Sequence, residues 1–157
     1  MTRPIRFTLA GILALAAAAP ALHAAPPPAA DIVKSRIAGL RELGAAFKNA
    51  MDGLRGGEPQ TIVIRQSARE IKSAAQAQYQ WFPAGTGPQR GIKTLAKPEI
   101  WSKSAEFRAA QDNFAKQADA FQRAAMSGNA DAMRVGARSL GGTCKGCHDQ
   151  FRTPPKD

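Results

Sequence analysis

The sequence predicts an all-α domain folded as an antiparallel up-down-up-down four-helix bundle. Three observations point there. Apolar residues recur three and four apart along four separate segments, as a helix with one buried face requires. Strand signals are nearly absent: only Thr61 to Ile64 is β-branched, and that run is too short to matter. The links from segment one to two and from three to four are short, which makes those neighbours antiparallel; the link from Pro83 to Pro98 is long and rich in Gly, Pro and Lys.

Taken in order, the chain opens with Arg3 and Arg6, then an apolar run of about 13 residues, shorter than the ~20 of a membrane span. Small residues follow up to Ala24. Charged, then apolar, then small is the layout of a secretory signal over residues 1–24, cleaved after Ala24. Residues 25–30, rich in Ala and Pro, form a flexible lead. Residues 31–157 form one domain with one core. Export places the mature protein in the periplasm, with no membrane attachment after cleavage.

The first helical stripe is Val33, Ile37, Leu40, Gly44, Phe47, Met51 and Leu54, ended by Gly56-Gly57. The second starts near Glu58-Pro59, carries Ile64, Ala68, Ile71, Ala75, Gln78 and Phe82, and stops at Pro83. The third starts after Pro98 and carries Phe107, Ala110, Phe114, Ala118, Phe121 and Ala125, ending at Gly128. The fourth is capped by Asn129, carries Met133, Ala137, Leu140, Cys144, Cys147 and Phe151, and closes at Pro154-Pro155. Phe47, Phe107, Phe114 and Phe121 read as packing residues, and Leu40 as a core leucine.

The net charge is +10. A basic chain often binds nucleic acid, but export removes this one from that partner. Acidic proteins, anionic surfaces and plain solubility all remain open readings, solubility being the simplest.

The two cysteines are three residues apart, in Cys144-Lys145-Gly146-Cys147-His148. That is the attachment pattern of haem c. Two thiols must reach two vinyl groups while an imidazole lies under the iron. Positions i, i+3 and i+4 of a helix share one face. A redox thiol pair belongs at a helix N-terminus, where the dipole lowers its pKa, yet this pair lies near the C-terminal end of its helix. Zinc needs four ligands, more than these cysteines and one histidine supply.

His148 is therefore the axial ligand and, with His23 in the signal, the only histidine of the mature chain. Methionine is the other common axial ligand. Met126 and Met133 sit at the opposite end of the bundle, Met133 roughly 22 Å along the axis from His148, and Met51 lies about 16 Å beyond Leu40. The expectation is a five-coordinate, high-spin iron facing an apolar pocket. Lys93 or Lys97 in the long link could in principle swing in as a ligand, a role tethered loop lysines seldom take. Without a distal acid–base group, such a site binds small diatomic gases rather than acting as an enzyme.

The chain resembles the cytochrome c′ family. The likeness rests on Arg36 and Leu40, on Phe82-Pro83-Ala84-Gly85-Thr86, on Lys97-Pro98-Glu99-Ile100-Trp101-Ser102, and on Cys144 to His148 followed by Arg152. It implies haem c held between the helices, with His148 proximal. It implies Arg36 near the haem propionates, Leu40 over the distal face, Arg152 beside the imidazole, and Phe82 and Trp101 as pocket walls. A polar residue is common where Ile37 stands, and an acidic or polar one where Leu95 stands, so these two would offer apolar or backbone contact. The resemblance also implies a homodimer paired through the first two helices. Two functions follow: binding of nitric oxide or carbon monoxide, or a low-spin carrier passing single electrons to a periplasmic redox protein.

Overall fold

The computed structural model describes residues 27–155. The signal at 1–24 and the first two residues of the lead therefore lie outside the described residues. Helix α1 spans Ala29–Gly53, so Ala29 and Ala30, expected in the lead, form its first turn. Helix α2 spans Thr61–Ala77, and a 3-10 turn follows at Gln78–Gln80. A short helix α3 covers Glu99–Ser102, α4 covers Ser104–Ser127 and α5 covers Ala130–Phe151. The four long helices are the expected bundle. Helix α1 packs along α2, α2 along α4, and α4 along α5. The edge between α1 and α5 has no comparable close backbone approach.

The stripes of α2, α4 and α5 become the core, whereas α1 buries Val33, Arg36, Ala46 and Ala50 and leaves Gly44 of its expected stripe exposed. Ile64, Ala68, Ile71 and Ala75 of α2 meet Phe114, Ala118, Phe121 and Ala125 of α4, with Met133, Ala137 and Leu140 of α5 and Ala46 and Ala50 of α1. Side chains such as Ile64, Ile71, Phe121 and Leu140 have no solvent exposure, and each such burial contributes about 1.5–3 kcal/mol. A second cluster of Ile100, Phe107 and Phe151, with Phe82, Trp101 and Cys147 against it, sits towards the other end.

The caps act as their residue types require. The Asn129 side chain accepts a bond from the Ala132 amide at 2.8 Å, satisfying a helix N–H that has no partner within α5. Gly128 ends α4 at φ 75°, a left-handed conformation that favours glycine.

Three expectations need correction. The second helix does not run to Phe82. It tightens at Gln78, whose side-chain Nε2 donates to the Gln111 carbonyl while the Gln111 side-chain Nε2 donates back to the Gln78 carbonyl. This clasp to α4 turns Trp81 and Phe82 inward. The third helix is not continuous from Pro98. Lys103, at φ −118° and ψ 50°, separates α3 from α4, which lets Ile100 enter the second cluster. Leu40 is not a core residue: it is 39 % exposed.

Candidate haem site

Cys144, Cys147 and His148 lie within α5, on the face the spacing predicts. Cys144 packs against the first cluster and Cys147 against the second. The pair thus straddles the seam between them. Cys144 and Cys147 form no disulfide with each other. Burial pushes the Cys144 thiol above its ordinary pKa and that of Cys147 to about 11. Burial therefore opposes the thiolate form that an activated redox pair needs. His148 is held below its ordinary pKa by desolvation and by Arg152, with Asp149 opposing.

The end of α5 is tied to the long link. The Lys97 amide donates to the Phe151 carbonyl at 2.9 Å, and the Thr153 amide donates to the Leu95 carbonyl at 2.7 Å. Lys97 Nζ also donates to the Asp149 carbonyl at 3.0 Å. Carbonyls in the last turn of a helix lack intrahelical partners, so these bonds hold the turn that carries His148. They also set Leu95 beside Arg152.

On α1, Arg36 is only 2 % exposed. Its Nη1 donates to the Trp81 carbonyl at 3.3 Å and to Thr86 Oγ1 at 3.0 Å. Its Nη2 donates to the Thr86 carbonyl at 3.0 Å and to Thr94 Oγ1 at 3.1 Å. The guanidinium carbon lies 4.7 Å from the Phe82 ring centroid and 5.9 Å from that of Trp101. No carboxylate is among these partners, and desolvation lowers the pKa of Arg36. A buried cation without a counter-charge calls for an anion beside it.

These features test whether a flat, apolar macrocycle with anionic edges suits the site. Along one side of the bundle α1 and α5 make no close backbone approach like those of the other pairs, Phe47 reaching Gly141 by its side chain. The apolar core divides at the level of the cysteines. Leu40 and Leu95 leave apolar surface 39 % and 40 % exposed, and Arg36 supplies an unmatched positive charge. The residues fit a haem.

A family profile described as Cytochrome C' matches residues 31–152. The chain belongs to the cytochrome c′ family. As a member of it, the chain carries one covalently attached c-type haem. A cytochrome c′ of Pararhodospirillum photometricum is 36% identical over 121 residues, covering 76% of this chain and 94% of that one. A solved cytochrome c′ whose dimer dissociates under ligand control superposes with a TM-score of 0.77 at 22% identity, over 83% of this chain and 100% of its own. Cytochrome c′ from Alcaligenes xylosoxidans, solved as the nitric oxide complex of a leucine-to-alanine mutant, gives a TM-score of 0.73 at 26% identity over 81% and 97%. A carbon monoxide-bound leucine-to-glycine variant of it gives 0.72 at 26% identity over 81% and 98%.

In this cytochrome c′, Arg36, Phe82 and Trp101 come together, and Trp101 Nε1 donates to the Phe82 and Pro83 carbonyls at 3.2 and 3.1 Å. Leu95 and Arg152 form a second group at the end of α5. Ile37 stands apart from both, on the wall of a groove outside Arg36. Thr86, 1 % exposed, and Thr94 went unrecognised as functional residues. They lie 50 and 58 residues from the arginine they bind, beyond the reach of any periodicity. Among the described residues no helix is long and apolar enough to cross a membrane.

Proposed function

We propose that this cytochrome c′ is a periplasmic, five-coordinate, high-spin haem protein that binds nitric oxide and carbon monoxide. Cys144 and Cys147 hold the haem by thioether bonds and His148 is the axial ligand. Arg36 faces the propionates, and Arg152 lies beside the imidazole. Leu40 covers the opposite face, with Ile37, Phe82, Leu95 and Trp101 around the rim. When bound, the iron supplies an open coordination position for a neutral diatomic ligand. The protein's part is to keep that position apolar and to hold the imidazole on the other side.

The observation that carries this reading is Leu40. It is a side chain with no ligating atom, partly exposed on the open face of α1. None of the methionines competes for the iron: Met133 is fully buried near the start of α5, Met51 lies near the end of α1 far from Arg36, and Met126 is exposed near the end of α4. The leucine variants of the Alcaligenes protein, bound to nitric oxide and to carbon monoxide, support the ligand class. The relative with a ligand-controlled dimer supports pairing with a second copy, which light scattering checks.

Optical and paramagnetic spectra of the exported protein test the proposal. A high-spin ferrous spectrum that shifts on addition of carbon monoxide is expected. A low-spin spectrum with a sulfur-to-iron charge-transfer band overturns it in favour of the electron carrier. Amino-terminal sequencing of the exported chain should begin at Ala25.

A further inference from the structure

Between Glu70 and Glu99 the chain has no carboxylate, while Lys72, Arg90, Lys93 and Lys97 fall within that stretch. The structure brings part of this basic segment against α1. A groove of about 390 Å³ runs between the first half of α1 and residues 91–93. Its floor is apolar, formed by Val33, Ile37 and Ile92, and its rim carries Lys34, Arg41 and Lys93. None of these three cations forms an ion pair among the described residues. Asp31 and Glu42, the carboxylates of the same half of α1, do not line the groove. Ile37 follows Arg36 directly and precedes Leu40 by one turn, so the groove lies next to the face of α1 proposed for the haem.

We propose that this groove is the docking site of an acidic redox protein that exchanges single electrons with the haem. The inference rests on the haem reading above and adds where a partner binds and by what chemistry. Unpaired cations around a recess attract and orient an anionic surface before contact. The recessed floor takes an apolar side chain of the partner. A membrane is the poorer fit, because insertion needs apolar groups that protrude, and here they are sunk below the lysines.

The test uses the ferrous holoprotein, with hexacyanoferrate(III) as an anionic one-electron oxidant and a tripositive cobalt(III) complex as a cationic one. One variant reverses Lys34, Arg41 and Lys93 to Glu. A control reverses Lys116, Arg123 and Arg138 on α4 and α5, changing net charge equally. At low ionic strength the groove variant should lose about tenfold more rate towards hexacyanoferrate than the control does, and gain towards cobalt. Equal effects from the two variants overturn the proposal, since net charge alone would then account for them. Titrating the ¹⁵N-labelled holoprotein with hexaglutamate should shift amides of residues 33–41 and 90–95; scattered shifts overturn it. Binding to phosphatidylglycerol vesicles that only the groove variant loses overturns it in favour of a membrane. Carbon monoxide spectra of the same samples report separately on the open-iron reading.

Discussion

Replacing Arg36 with Met removes the guanidinium while keeping most of its length. Thr86 is 1 % exposed and loses the donor to both its carbonyl and its hydroxyl oxygen. The hydroxyl keeps its own bond to the Pro83 carbonyl at 2.7 Å. Each buried acceptor left unpaired costs about 1–3 kcal/mol. The acceptors on Trp81 and Thr94 are only part-buried, so water can replace the lost donor there. Relief of the arginine's own desolvation offsets part of the loss. The net expectation is about 3 kcal/mol, or roughly 10 °C in Tm for a domain of this size. Thermal unfolding of the holoprotein followed by far-ultraviolet dichroism reads it. Arg36→Lys should recover little, since an ammonium cannot span four acceptors with one planar fork. The reduction potential should fall in Arg36→Met, because a nearby positive charge favours the reduced site. A stability loss under about 1 kcal/mol would show that Arg36 is a solvated charge and refute the reasoning.

Three further outcomes are expected. Leu40→Met places a thioether on the open face of α1 and should convert the iron towards six-coordinate, seen as a sulfur-to-iron band; an unchanged spectrum would place residue 40 away from the iron. In Gly39→Ala the new Cβ would lie 2.8 Å from Trp81 Cζ2. Moving that ring pulls on the carbonyl that binds Arg36, so a loss of about 1–3 kcal/mol in chemical denaturation is expected, and no loss would mean the ring shifts freely. Tyr79, the single tyrosine, has its pKa raised by burial and by its bond to Asp112. That bond's stabilisation is present below the ordinary tyrosine pKa and lost as pH rises through the raised value. The tyrosinate absorbance should titrate above about pH 10, and Asp112→Asn should lower the midpoint.

What was legible in the sequence was whatever repeats with the helix. Phe107, Phe114, Ala118, Phe121 and Ala125 are three, four or seven residues apart, and all are buried on one face of α4. Helical spacing also put Cys144, Cys147 and His148 together within α5, but the attachment motif and not the period assigned them a haem. Leu40 shows the limit. Its spacing matches the stripe, yet it is 39 % exposed, and periodicity cannot tell a face that packs on a helix from one that does not. The breaks at Gln78 and Lys103 were hidden because their causes, the clasp to Gln111 and the second cluster, are tertiary. The resemblance implies Arg36 beside the propionates, while its burial and its hold on Thr86 and Thr94 depend on a link that folds back from far along the chain.

The two main-chain bonds that join Leu95 and Lys97 to Thr153 and Phe151 make the tail a clasp rather than a loose end. Trimming back to His148 would cut both ties at once and let the terminal turn fray, while cutting after Pro155 would leave them whole. An affinity handle therefore belongs beyond Pro155, and proteases acting at the carboxyl terminus should stall near Thr153 for as long as the bundle stays closed.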